Sequence, residues 1–401
     1  SSAASDVYKR QDPAKHNKEL AEAEYQVNQK QAVIEKEGII LEGLTVKNST
    51  GDTELKAGED YSAAFDSTTG FLTITMLTGG KGAAATAIKV SGKVIDPSKV
   101  TKEDVIGAVD PSTGAETGAQ VIRQVYPRLG IVPGLILAPG WSQIPEVGLA
   151  LAAKAAKING VYSAMALLDL DTAKAKKYTD TKSVKEESGY TSPFCYPLWP
   201  CDRVGEYILA KSAVAGAMIQ YMASDNEDVP NQSPSNHLLG VGGQCLEDGT
   251  EVYLDQDQAN TVNGYGVTTA INQNGYRLWG NYTGAYPASS DAKDIWFAVR
   301  RMFSWQGNNF IQTYFDEVDD PMNNVLVQSV VDSENIRCSA YAPKYWAGAS
   351  IEYKSDDNPK TAILAGTMKF RQHIAPYTPA QEIVDIIDYD TDTLAAAVGG
   401  N

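Results

Sequence analysis

Residues 275–321, GYRLWGNYTGAYPASSDAKDIWFAVRRMFSWQGNNFIQTYFDEVDDP, decide how this chain is read. They hold three of its six tryptophans, a pair of adjacent arginines and an abrupt Asp-Asp-Pro stop. Asp291 stands where an N-cap belongs, and Asp294 follows three residues later. Ile295, Val299, Met302 and Phe303 then recur at helical spacing, which predicts one amphipathic helix with an aromatic face. Arg300 and Arg301 occupy its middle. Adjacent helix positions point about 100° apart, so both cannot face one core, and at least one is expected to meet solvent or a partner.

Working outward, 401 residues predict two or three domains, because a single core stops growing near about 250–300 residues. A formal charge of -16 argues against a direct nucleic-acid surface, whose footprint is basic. The four cysteines, Cys195, Cys201, Cys245 and Cys338, have neither zinc-site spacing nor flanking histidines, and they read as reduced thiols or as one Cys195–Cys201 bridge. No apolar run reaches the roughly 18–20 residues that span a bilayer, so no membrane insertion is expected.

The N-terminal reading changes twice. Residues 1–11, SSAASDVYKRQ, carry no periodicity and no initiating Met; they resemble translated adapter sequence and are expected to be a non-native leader. Residues 12–32 are polar and rich in Lys, Glu, Gln and Ala, which predicts a solvated helix. From residue 33 to residue 118, short alternating runs at 40–46, 71–76 and 87–90 are separated by Gly, Asp and Asn turns, which predicts a β-sandwich.

Residues 119–274 read as α/β. Apolar runs at 135–138 and 162–170 flank a helix over 145–159, the signature of a right-handed parallel crossover with both sheet faces covered. Residues 176–188 read as a charged loop and 202–224 as one long helix. The last part, 275–401, reads as α+β, with strands at 348–353 and 366–370 and a strand-like run at 383–389.

Two places invite chemistry. Ala138-Pro139-Gly140-Trp141-Ser142 lies at the carboxyl end of a strand, where open α/β sheets bind ligands, but it lacks the glycine and lysine fingerprints of phosphate loops. Asp169 and Asp171, in Leu168-Asp169-Leu170-Asp171-Thr172, are similar to the acidic pair of metal-dependent phosphohydrolases, in which one carboxylate attacks phosphorus and both hold Mg²⁺. Thr172 comes one position too early for that loop. A serine triad needs a histidine base, and His16, His237 and His373 lie in polar or turn-forming contexts without a G-x-S-x-G elbow. A carbohydrate-binding β-sandwich is a further alternative, with few aromatics to support it.

The order of motifs carries a resemblance. Gly275-Tyr276-Arg277-Leu278-Trp279-Gly280-Asn281-Tyr282-Thr283, then Asp294, Arg300-Arg301-Met302-Phe303 and Asp319-Asp320-Pro321, resemble the C-terminal region of bacteriophage contractile tail sheath proteins. Ser233-Pro234-Ser235-Asn236 and Gln258 to Thr269 match sheath motifs in the same order. His237 and Val262 depart from the family's more usual Lys and Leu. The likeness runs from about Ile39 to Tyr389, and the family's initial arm and first core strands are missing from it.

What the resemblance implies is a structural subunit without catalytic residues, cofactor or metal. The implied fold is an α/β core of subtilisin-like shape with an inserted all-β sandwich and an α+β C-terminal domain. The implied partners are further copies in hexameric rings stacked helically, the tail tube protein, and baseplate and tail terminator proteins. The implied location is the virion tail, assembled in the host cytoplasm. Ile383, Val384, Ile386, Ile387 and Tyr389 are then candidates for a strand shared between subunits, and Arg300 and Arg301 for contact with the tube or a neighbour.

Overall fold

In Leu72-Thr73-Ile74-Thr75-Met76 apolar side chains recur at every second position, and the computed structural model, which describes residues 14–399, turns all three inward. Period-two burial of this kind is what a strand with one covered face produces. The chain divides into two compact units, residues 1–120 and 121–401.

The first unit is built from β1 (Asn17–Gln26), β2 (Gln31–Ile34), β3 (Ile39–Asn48), β4 (Glu54–Leu55), β5 (Tyr61–Phe65), β6 (Leu72–Met76) and β7 (Ala87–Ile95), followed by the short helix α1 (Lys102–Ile106). One antiparallel sheet runs β1-β7-β3-β4 and a second runs β2-β6-β5. Ile34, Leu72 and Ile74 from one and Val46, Ile88 and Val90 from the other share a single apolar cluster. Burying each such side chain contributes about 1.5–3 kcal/mol.

The helix expected over 12–32 is a strand pair instead. Residues 17–26 pair with β7 from Asn17 opposite Ile95 to Gln26 opposite Ala87, and Leu20 is buried in the shared cluster. Lys, Glu and Ala favour helix locally, but a short polar helix is marginal alone. Pairing along the edge of an existing sheet overrides that preference. The expected leader, residues 1–11, lies outside the described residues.

The second unit opens with α2 (Val125–Leu129) and then β8 (Leu135–Leu137), α3 (Pro145–Ala156) and β9 (Met165–Asp169). β8 and β9 are parallel, with Leu135 opposite Met165, and every residue of β9 is buried. Next come α4 (Thr181–Ser188), β10 (Cys195–Leu198), β11 (Cys201–Val204), β12 (Tyr207–Leu209), α5 (Lys211–Ser224) and β13 (Gly243–Cys245). β10 extends the parallel sheet in the order β10-β9-β8, while β12-β11-β13 form an antiparallel sheet.

Two expectations fail here. Residues 181–188 are a helix, not a loop, with Val184 and Lys185 buried and Gly189 left-handed just past the end (φ +71°). The long helix expected over 202–224 begins only at Lys211. Before it the chain makes a hairpin, Asp202 opposite Leu209, turning through Gly205 at φ +59°. Val204 and Ile208 stand at helical spacing, but a glycine at positive φ is what a tight reversal requires.

The unit closes with α6 (Gln256–Gly264), β14 (Thr269–Asn272), β15 (Tyr276–Trp279), α7 (Ala292–Ile295), α8 (Phe297–Thr313), α9 (Asn324–Ala340), β16 (Trp346–Glu352), α10 (Lys360–Leu364), β17 (Arg371–Pro376) and α11 (Thr391–Ala397). The β14–β15 hairpin straddles the boundary drawn at 274/275. β16 pairs with β17 from Gly348 opposite Ala375 to Glu352 opposite Arg371. The second strand therefore falls at 371–376 rather than 366–370, because Asn358 clasps the intervening loop by accepting from Lys369 N (2.7 Å) and donating to Lys369 O (2.9 Å).

Candidate assembly surfaces

The opening stretch folds as two helices, not one. Asp291 does cap the first, its carboxylate accepting from Lys293 N at 2.9 Å. Trp296 is then extended, at φ -89° and ψ 122°, and α8 starts at Phe297. The break is held by the preceding WGNYT segment: Phe297 N donates to Asn281 O and Thr283 N to Ile295 O, both at 2.8 Å. Phe297 stacks on Tyr196 with ring centres 4.0 Å apart, and Tyr196 donates its hydroxyl to Gly280 O at 2.8 Å. The WGN turn is thus locked to the parallel sheet through β10.

Arg300 donates to Asp294 Oδ1 at 3.2 Å and lies 4.4 Å from the centre of the Phe194 ring. Its side chain is 16% exposed. Arg301 lies over Phe297, 5.5 Å from the ring centre. Burial lowers its guanidinium to about 10, with the nearby Tyr196 acting in the opposite direction. It lines a small cavity with Ile219, Met222, Asn226, Val229 and Gln232.

The C-terminal run is the opposite case. Ile383 is 89% exposed, Ile386 80% and Ile387 87%, with Val384 and Tyr389 also open. No strand pairing among the described residues includes them. Gln381, just before the run, accepts from the Tyr282 hydroxyl at 2.6 Å, and Tyr282 stacks between Tyr286 and Trp296. The run therefore departs from the aromatic hub itself. Isolated exposed apolar residues are ordinary, but here five fall within seven positions.

The carboxylates of the phosphohydrolase alternative do not converge. Asp169 is buried and occupied: it accepts from Ser212 N at 2.7 Å, from Ser212 Oγ at 2.5 Å and from Ser142 Oγ at 3.1 Å, and burial pushes its carboxyl up. Asp171 instead caps a turn, accepting from Ala173 N at 2.9 Å. Among the described residues no group of three or more His, Cys, Asp or Glu could hold a metal ion. Asp169 anchors the start of α5 to the end of β9, and Ser142 ties the Ala138–Ser142 loop to the same strand end, its hydroxyl accepting from Asp169 N at 2.9 Å.

Sequence reasoning missed the ion pair between Lys211 and Asp202, both fully buried. Lys211 sat inside a misread helix, so its pattern gave no signal. It also missed Lys185, which is buried and donates to Tyr265 O at 2.9 Å and Tyr286 O at 2.5 Å. Residues 176–188 read as a charged loop, so no periodicity pointed to it.

The second unit is a mixed α/β fold with several sheets, whose Asp169 carboxylate is fully engaged and whose 383–389 run is open. The chain is 27% identical over 375 residues, 89% of its length and 76% of the relative's, to the tail sheath protein of Burkholderia phage BcepMu. It is 24% identical over 294 residues, 71% of its length and 69% of the relative's, to the tail sheath protein of Escherichia phage P2. Its fold matches the contracted sheath complex of an extracellular contractile injection system, with a TM-score of 0.54 at 17% identity, covering 69% of this chain and 76% of that one. No family model matches. This chain is a homologue of the contractile tail sheath proteins.

Proposed function

We propose that the chain polymerises around a tail tube and contracts to drive the tube through a host cell envelope. The observation that carries this reading is homology to a tail sheath protein along 89% of the chain. Contacts between non-equivalent faces that do not close on themselves generate a helical lattice, and a rigid-body shift between two such lattices needs no catalytic residue. A kinetic barrier can then hold the extended form.

The finer reading has hexameric rings stacked helically, a tube protein inside, baseplate and terminator proteins at the ends, and assembly in the host cytoplasm before incorporation into the virion. Residues 383–389 would add as a strand to a neighbouring copy, since strand addition couples copies through backbone hydrogen bonds while leaving each unit rigid. Residues 119–274 would form the core of subtilisin-like outline, with 33–118 inserted and 275–401 completing the assembly domain.

Negative-stain microscopy of the purified chain, with and without tube protein, tests this. Rings or striated tubes are expected; a chain that stays monomeric at high concentration with tube protein present would overturn the reading. Charge reversal of Arg300 and Arg301 in the same assay separates their roles. Loss of polymers at unchanged melting temperature supports a contact role, and intact polymers with a lowered melting temperature assign them to internal packing.

A further inference from the structure

Strands β11 and β13 place Cys201 directly opposite Cys245. Both are free thiols; Cys201 is half-buried and Cys245 fully buried. Residues opposite one another on an antiparallel pair project to the same face, with Cβ atoms about 4.5–5.5 Å apart. A disulfide spans Cβ atoms about 3.5–4.5 Å apart, so closure asks for a local shift of about 1 Å. Burial pushes the Cys245 thiol up, with the Arg203 guanidinium, two positions along β11, acting in the opposite direction. Cys195 and Cys338 are placed differently. Cys195 sits on β10 opposite Ala166, and Cys338 belongs to a cluster with Met302 and Trp346.

We infer that Cys201 and Cys245 are an oxidation-responsive pair that closes into a cross-strand disulfide by exchange with a low-molecular-weight disulfide such as oxidised glutathione. The more exposed Cys201, as thiolate, attacks one glutathione sulfur. A bond forms between Cys201 and that sulfur as the glutathione S–S bond breaks and one glutathione thiolate leaves. Cys245, its proton passed to solvent, then attacks the Cys201 sulfur and expels the second glutathione thiolate. Two protein thiols give up two protons and two electrons, and one glutathione disulfide becomes two glutathione thiols.

The bridge joins residues 201 and 245 around α5, so it restrains the unfolded chain over that whole loop. It keeps β13 fastened to β11 once the protein passes from a reducing to an oxidising medium. Exchange is slow at neutral pH: burial chiefly, with nearby Asp169 and Cys245 adding to it, pushes the Cys201 thiol up to about 12. Because the thiolate is the reacting form, the rate climbs about tenfold per pH unit.

The test uses the full reduced chain, unassembled, so its outcome does not depend on the sheath reading. The protein is incubated with oxidised glutathione at about pH 7.5 and about pH 8.5, quenched with iodoacetamide and digested with chymotrypsin, and fragmentation of the linked peptides by tandem mass spectrometry tells Cys195 from Cys201. The expected result is a peptide pair joined through Cys201 and Cys245, formed about tenfold faster at the higher pH, reversed by dithiothreitol and accompanied by a melting temperature several degrees higher. Cys201→Ser or Cys245→Ser removes both changes, and Cys195→Ser keeps them; should a variant fail to fold, mapping of the wild-type chain decides alone. A stable glutathione adduct on Cys201, a bridge through Cys195, or no reaction when denatured chain reacts fully would each overturn the inference.

Discussion

Asp202 and Lys211 are both fully buried and paired to each other, yet Asp202 Oδ2 has no hydrogen-bond partner among the described residues. Burial pushes the Asp202 carboxyl up and Lys211 pulls it back. Removing one member leaves the other charge uncompensated in the core, so Asp202→Ala or Lys211→Met is expected to cost about 3–5 kcal/mol in urea unfolding. The double change to Leu and Met should cost far less than the sum of the two, because it removes both charges; an additive double mutant would show that the pair is not the relevant interaction. Lys185 predicts a pH dependence. Burial lowers its ammonium from 10.5 to about 8, so between those values the unfolded chain holds the proton and the folded one has lost it. The folded state therefore gains stability from this group as pH rises through that window, by at most about 1.4 kcal/mol per pH unit. Urea unfolding of wild type and Lys185→Met under reducing conditions should show their difference moving in the wild type's favour across the window, and a flat difference would refute it.

At the scale of elements, packing repeatedly outranks local preference. Gly148 lies in the interior of α3, where alanine is better by about 1 kcal/mol on propensity. A Cβ there would collide with the Tyr190 hydroxyl, which is held by donating to Ser142 O. Gly148→Ala is therefore expected to destabilise, by about 1–3 kcal/mol of overpacking strain. A rise in melting temperature would show that Tyr190 moves aside freely. The same contest explains the break at Trp296. Periodicity from Ile295 to Phe303 favours one continuous helix, but the Asn281 and Thr283 backbone groups pair with the residues on either side of Trp296. A remote turn thus decides where the second helix starts.

For the whole molecule, the informative feature is the contrast between the two candidate contacts. Arg300 is engaged inside its own unit, whereas residues 383–389 leave five apolar side chains open. Deleting residues 382–401 is expected to abolish polymers in electron micrographs while leaving the melting temperature close to that of the full chain, since the run buries little. Polymers that survive the deletion would remove the run from the assembly contact. A large fall in melting temperature would make it part of the unit's own fold.

Much of this was legible in residue order. Alternation at 72–76, the all-apolar run at 165–169, the Asp291 cap and the WGNYT motif are local patterns, and local patterns follow from the repeat of a strand or helix and from the chemistry of its ends. The resemblance to tail sheath proteins followed from the order of such motifs along the chain. Tertiary structure alone decided the rest. Residues 17–26 became a strand because β7 offered them an edge, and residues 201–209 became a hairpin because β13 pairs with β11. Cys201 faces Cys245 and Lys211 meets Asp202 because of register and burial, relations between distant segments that no window of neighbouring residues encodes.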